Sequence, residues 1–245
     1  MIPIRDSIPC RSAPVVTRAL ILINALVFFY ELALPKESLE SLFYLFGIVP
    51  ARFTDPGWAS AAGFPAGGYW VFLTHQFLHG GWLHIFSNMW TLCIFGDAVE
   101  DAMGHRRYGV FYLLSGVLGG LAQLLAQPHS QVPSLGASGA IAGVLGAYFL
   151  LYPKARVTML VPMFFWPFTF EISAVVYLGL WFVSQLFDGT LALASPEQVG
   201  GIAFWAHVGG FSSGMLLCRL FVRREQRRQT GTDNHDRQAP SFIKI

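Results

Sequence analysis

The sequence predicts an all-α, polytopic membrane protein, a bundle of six transmembrane helices. Three observations predict it. Of 245 residues, 54% are hydrophobic and only 12% are charged, about half the charge of a soluble globular chain. About six stretches are apolar over the roughly 20 residues that a bilayer crossing takes. If those stretches alternate in direction, nearly all the basic residues collect on one side of the membrane.

The first expected span is 16–34, preceded by a short cytoplasmic segment, 1–15, with Arg5 and Arg11. It superficially resembles a signal peptide, but the apolar run is long and no small-residue cleavage site follows it cleanly, so it reads as a retained helix. A long outer connection, 35–81, contains Phe43, Tyr44, Phe46, Phe53, Trp58, Phe64, Tyr69 and Trp70. Trp and Tyr favour the headgroup region, so this connection is expected in the membrane interface. The second and third spans are 82–101 and 107–127. The fourth, 137–152, is short and opens with Gly-Ala-Ser-Gly. A helix that starts below the membrane surface can place a polar group inside the bilayer without exposing it to lipid. The stretch 157–167, with Pro162 and Pro167, reads as irregular, followed by spans at 168–187 and 201–221 and an outer loop, 188–200, between them. Residues 16–221 read as one membrane domain, and 222–245 as a basic cytoplasmic tail, disordered or on the membrane surface.

Arg5, Arg11 and Arg18 precede the first span; Arg106 and Arg107 separate the second from the third; Lys154 and Arg156 separate the fourth from the fifth. Arg219, Arg223, Arg224, Arg227 and Arg228 follow the sixth, with Arg237 and Lys244 in the tail. The other side has Lys36 and Arg52 beside Glu37, Glu40, Asp55, Asp188 and Glu197. Cytoplasmic retention of Lys and Arg puts both termini in the cytoplasm. Cys10, Cys93 and Cys218 are far apart and form no zinc or disulfide pattern.

Polar residues inside membrane spans are costly, and three clusters stand out. In His79-Gly-Gly-Trp-Leu-His84-Ile-Phe-Ser-Asn88, His84 and Asn88 lie one turn apart on one helix face. They are two neutral donors, or a pair of helix-packing hydrogen bonds. Gly136-Ala-Ser138-Gly139 places a serine at a helix start, where unpaired N–H groups and the helix dipole favour negative charge. Gly139 and Gly143 also form a small-residue packing pair. In Ala206-His207-Val-Gly-Gly210-Phe-Ser-Ser-Gly214, His207, Gly210 and Gly214 line one face that another helix can approach closely. A histidine opposite a serine is the minimum for nucleophilic catalysis, and the paired donors supply what an oxyanion needs. No acidic third member is evident, so the arrangement is a dyad.

The order His-x4-His-x3-Asn, then Gly-x-Ser-Gly, then Ala-His-x2-Gly-x3-Gly, across six helices, resembles the rhomboid family of intramembrane serine proteases. The resemblance covers about 16–222 and includes the Glu100 to Gly104 segment. It implies Ser138 as nucleophile, His207 as general base and then acid, and His84, Asn88 and the Ser138 N–H as oxyanion donors. His79 would support the site or organise water, with Gly136, Gly139, Gly210 and Gly214 shaping it. No metal or organic cofactor is expected. Substrates would be transmembrane proteins cut near the outer face, with small residues and an easily unwound helix there. No nucleic-acid partner is expected, the bilayer is a partner throughout, and the oligomeric state is left open. The compact chain is expected in the plasma membrane of a prokaryote.

Two positions depart from the family pattern. A Trp-Arg pair is replaced by Trp70-Val71, which removes an arginine that anchors the outer loop. An aromatic four residues after the serine is replaced by Ala142, so an aromatic from another helix is expected to orient His207. Hydrolysis needs water, so Ser138 must face a polar cavity, which His75, His79 and His84 can line. Helix five and the loop 35–81 form the expected lateral gate, with 188–200 capping the site. The alternatives are a catalytically weak rhomboid-like pseudoprotease that binds membrane clients, a haem or metal protein using His75, His79, His84 and His207, and a transporter. The last lacks inverted halves and intramembrane charge pairs.

Overall fold

The computed structural model describes residues 1–65, 68–163, 167–194 and 202–223. An N-terminal strand, β1 (Ile2–Asp6), leads into α1 (Val15–Ala33). The connection 35–81 folds into α2 (Lys36–Phe46), α3 (Ala51–Thr54), α4 (Pro56–Ala61) and α5 (Val71–Thr74), and a 3-10 turn follows at His75–Phe77. Then come α6 (Trp82–Met103), α7 (His105–Ala126), α8 (Ser138–Leu151), β2 (Arg156–Val161), β3 (Phe168–Ser173), α9 (Ala174–Ala194) and α10 (Phe204–Phe221).

The protein is predominantly helical and polytopic. α1, α7 and α9 are long and apolar enough to cross a bilayer by length and composition. α6 has 22 residues but carries Asp97, Glu100 and Asp101 in its last turns. α8 has 14 residues, about 21 Å at the helical rise, short of the roughly 30 Å hydrocarbon core. Large apolar side chains stay exposed around the bundle, among them Leu26, Phe86, Leu180, Phe187 and Leu216. Such a girdle suits lipid, and a water-soluble surface rarely carries one.

Hydrogen bonds show which helix ends meet. At one end, the Glu100 carboxylate accepts the N–H groups of Val16 and Thr17, each at 2.8 Å, and takes a hydrogen bond from His105 Nδ1 at 2.6 Å. A carboxylate there satisfies orphan donors and meets the positive end of the α1 dipole. The Tyr152 hydroxyl donates to the Ala98 carbonyl at 3.0 Å, and Arg223 N–H donates to Ala102 at 3.2 Å. The start of α1 thus lies beside the end of α6, the start of α7 and the ends of α8 and α10. At the opposite end, Ile48 and Ser134 exchange backbone hydrogen bonds, and Thr74 Oγ1 donates to Phe46 at 2.7 Å. There too His79 N–H donates to the Glu31 carboxylate at 3.1 and 3.3 Å. Direction therefore alternates along α1, α6, α7, α8, α9 and α10.

The structure departs from an all-α reading in one place. The segment 157–167, expected to be irregular, is strand over 157–161, and 168–173, expected to start the fifth helix, is strand as well. β1 pairs antiparallel with β2, and β2 with β3. In β2, Val157 and Met159 are buried while Arg156 and Thr158 alternate with them, the period of a half-buried strand. A hydropathy window averages this alternation away, and the partner strand comes from the distant N-terminus. Trp90 Nε1–H holds β1 through the Pro3 carbonyl at 2.6 Å, and the Tyr148 hydroxyl donates to Asp6 at 2.6 Å. The fifth helix consequently begins at Ala174 and continues to Ala194, through much of the expected loop 188–200. The rest of that loop, 195–200, the first residue of the expected sixth span, 201, and the tail from 224 to 245 lie outside the described residues.

α7, α8 and α10 approach through glycine. A Cβ on Gly210 would fall on the Gly139 carbonyl oxygen, one on Gly214 on the Gly143 carbonyl, and one on Gly146 on the Phe211 carbonyl. A Cβ on Gly119 of α7 would stand 2.7 Å from the Ala206 carbonyl oxygen. Small residues let helix backbones pack this closely in a bilayer.

Candidate active site

Ser138 is the first residue of α8 and is half-buried. The first helical hydrogen bond at this end runs from Ile141 N–H to the Ala137 carbonyl at 2.9 Å, so the N–H groups of Ser138, Gly139 and Ala140 precede the helical ladder. His207 lies in the first turn of α10, also half-buried. The glycine seam between α8 and α10 brings the two together: Ser138 Oγ stands 2.8 Å from His207 Nε2.

The other face of the imidazole is supplied by α9. His207 Nδ1–H donates to Gln185 Oε1 at 2.6 Å. That bond puts the proton on Nδ1 and leaves the Nε2 lone pair to accept from Ser138 Oγ–H. Gln185 Nε2 in turn donates to Ser184 Oγ at 3.1 Å. One turn before Gln185, the Trp181 ring lies 5.9 Å from the His207 ring at 34°, and Phe204 meets it edge-on at 6.3 Å. The aromatic expected from another helix, in place of Ala142, is thus Trp181. Ala142 itself is fully buried beside Gly210.

The two expected donors converge next to the serine turn. Gly136 has φ +123°, a conformation that favours glycine. A Cβ there would come 2.6 Å from His84 Nε2 and 3.6 Å from Asn88 Nδ2. Gly80 N–H points at His84 Nδ1 across 3.4 Å, which leaves Nε2 as the protonated, donating nitrogen. Asn88 Nδ2 donates to His79 Nε2 at 3.1 Å, and His79 N–H is held by Glu31 of α1. His79 therefore supports Asn88 from behind. His75 has other partners: its Nδ1–H donates to the Val71 carbonyl at 2.8 Å, and its ring lies against Gly120. Among the described residues no three His, Cys, Asp or Glu side chains converge as a metal-binding group.

A cavity of about 570 Å³ opens at this end between α7, the connection into α8 and the C-terminal end of α9. Gln123, Gln127, His129, Ser134, Ala192 and Ala203 are among its lining residues, while Ser138 and His207 are not.

The loop-anchoring arginine absent from position 71 has a counterpart in α3. Arg52 is buried, with its guanidinium 5.1 Å from the Phe64 ring, 5.5 Å from Trp70 and 5.9 Å from Phe53. It donates to the Leu45 and Pro65 carbonyls at 3.4 Å each. Burial lowers its pKa from the ordinary guanidinium value, and the ring faces compensate its charge. Gly68, at φ +74°, leaves room for it, since a Cβ there would fall on the guanidinium. Val71 instead packs in a small apolar cluster with Ile48 and Phe72.

Sequence reasoning missed Gln185, Trp181, Glu31 and the anchoring use of Arg52. Gln185 and Glu31 carried a readable signal, because each is a polar residue inside an expected span.

Comparison with known proteins gives the same direction. The Rhomboid domain profile matches residues 66–224. The putative rhomboid protease YdcA of Bacillus subtilis is 27% identical over 197 residues, 78% of this chain and 88% of that protein. RHOMBOID-like protein 5 of Arabidopsis thaliana is 32% identical over 158 residues, 64% of this chain and 45% of its own length. The rhomboid protease GluP of Bacillus subtilis is 43% identical over 86 residues, 35% of this chain and 16% of its own. The chain thus spans less than half the length of the plant relative. With the domain match covering well over half of its residues, this chain belongs to the rhomboid family.

Proposed function

We propose that the chain is a serine endopeptidase that hydrolyses peptide bonds of transmembrane proteins. Ser138 Oγ attacks the scissile carbonyl while His207 Nε2 takes its proton. The carbonyl oxygen becomes an oxyanion, held by the Ser138 N–H, His84 Nε2–H and Asn88 Nδ2–H. As the tetrahedral intermediate collapses, the C–N bond breaks and His207 returns the proton to the leaving amine. Water then attacks the acyl-enzyme, with His207 as base, and releases the new carboxylate and free Ser138.

The observation that carries this reading is the 2.8 Å contact between Ser138 Oγ and His207 Nε2 at a helix start bordered by two side-chain donors. The test is labelling of the detergent-purified protein with a fluorophosphonate probe. Wild type should label; Ser138→Ala should abolish labelling, and His207→Ala should reduce it by orders of magnitude. Labelling that survives Ser138→Ala would refute the assignment, and a folded wild type that never labels would favour a client-binding pseudoprotease.

The membrane arrangement belongs to the same reading. The alternating helices and basic connections support six crossings with both termini cytoplasmic. Residues 16–221 act as the membrane unit, and similarity to a Bacillus subtilis protein over 78% of the chain supports a prokaryotic plasma membrane. Membrane-impermeant thiol labelling of single cysteines placed in 1–15 and 35–81 should modify only the second group in intact cells; the reverse pattern would invert the topology.

A further inference from the structure

Dyad chemistry leaves one contact unused. His207 has a partner on Nδ1 as well as on Nε2, and that partner sits on a different helix from the serine. Gln185 is buried, its Oε1 stands 2.6 Å from His207 Nδ1, and its own amide nitrogen is tied to Ser184 Oγ. Its orientation is therefore set: oxygen toward the imidazole, nitrogen away from it. α9 contacts the start of α10 at three successive turns. Trp181 lies on the His207 ring, Gln185 reaches its Nδ1, and the Gly189 carbonyl accepts Trp205 Nε1–H at 3.1 Å.

We propose that Gln185 is a positioning residue that holds His207 in the Nδ1-protonated tautomer, so that the Ser138–His207 pair is complete only while α9 is seated against α10. This rests on the reading of Ser138 and His207 as nucleophile and base. The amide does for this imidazole what a buried carboxylate does in a three-membered arrangement, orienting the ring and selecting the nitrogen that faces the serine. It does so without placing a charge in the bilayer, where an unpaired carboxylate would be costly. Because the acceptor is carried by α9, displacing that helix removes both the Nδ1 partner and the aromatic wall of the imidazole.

The test compares wild type with Gln185→Leu, Gln185→Glu, Ser138→Ala and His207→Ala in detergent. Fluorophosphonate labelling over a range of probe concentrations separates the inactivation rate constant from probe occupancy. Thermal unfolding of each variant is recorded alongside. Gln185→Leu, similar in size but with no acceptor, should lower the rate constant by about 10- to 100-fold at unchanged occupancy. Gln185→Glu keeps an acceptor and should return to within a few-fold of wild type. A packing role alone would shift unfolding equally in both variants and would not separate them by rate. If Gln185→Leu does not fold, the ¹⁵N shifts of His207 in wild type, assigned by difference from His207→Ala, decide the matter, because the proposal requires a neutral ring protonated on Nδ1. Wild-type labelling rates in Gln185→Leu, or an Nε2-protonated ring in wild type, would overturn the role of Gln185 and leave the dyad intact. Labelling that ignores Ser138→Ala would instead overturn the reading underneath.

Discussion

α10 has two neighbours that flank the Ser138–His207 pair, and it meets them in different ways. Against α8 the contact is backbone to backbone. Gly210 and Gly214 lie so close to the Gly139 and Gly143 carbonyls that a methyl group has no room. Against α9 the contact is made by side chains: Phe182 stacks on Phe211 with ring centres 4.7 Å apart, and Trp181 and Gln185 reach His207. α9 otherwise exposes Leu180, Val183, Phe187 and Leu191. The first seam has one geometry, because carbonyl and Cα surfaces cannot slide past each other without losing their fit. The second can separate by rotamer changes and small shifts. Ser138 is thus joined to His207 by the rigid seam, while Gln185 and Trp181 reach His207 through the adjustable one.

The comparison can be broken most severely at the rigid seam. Gly210→Val puts two methyl groups where the Gly139 carbonyl stands. Overpacking of this kind costs about 1–3 kcal/mol, sometimes more, and fluorophosphonate labelling should fall below detection as Ser138 and His207 separate. Retained labelling at a near-normal unfolding temperature would show that the seam is softer than its geometry. Next in size is the Glu100 anchor at the other end of the bundle, which holds the starts of α1 and α7. Glu100→Gln leaves at least one buried donor unpaired, and should lower unfolding stability by about 1–3 kcal/mol; labelling of the folded fraction should hold at the wild-type rate.

At the adjustable seam the expected effects are smaller. Trp181→Ala removes a ring contact worth about 0.5–1.5 kcal/mol, so labelling should slow by roughly 3- to 10-fold with little change in unfolding temperature. An unfolding shift without a rate change would assign Trp181 to packing alone. The smallest effect on labelling is expected from an engineered disulfide that tethers α9 to α6. A small probe should still react at about the wild-type rate, while cleavage of a transmembrane substrate is suppressed, since α9 would be the helix that admits it. Unimpaired substrate cleavage in the tethered protein would rule out α9 as the entry gate.

The rigid half was the legible half. His207, Gly210 and Gly214 were readable because their spacing on one helix face states the contact they make, and Ser138 because a polar group in an apolar run calls for a reason. His84 and Asn88 were readable from the same periodicity. The support around His207 was harder to see: Gln185 lies 22 residues from it in a helix whose start the hydropathy pattern misplaced. Arg52 was counted as an outer charge. Its use as a loop anchor depends on Phe64, Gly68 and Trp70 folding back over it, and its own flanking residues do not announce that.

What the sequence by itself determined is therefore what one-dimensional period and charge can encode: a polytopic helical membrane protein, the side on which its basic residues gather, and a serine and a histidine on faces built for close approach. Only the tertiary structure decided how those faces are completed. It joined the N-terminal strand to β2 across about 150 residues, placed Trp181 where a local aromatic is missing, and brought the Gln185 amide to the back of the imidazole. The physical reason is range. Burial and helical phase are properties of neighbouring residues and survive in a linear reading, whereas strand pairing, ring stacking and the choice of a hydrogen-bond partner depend on which distant elements meet.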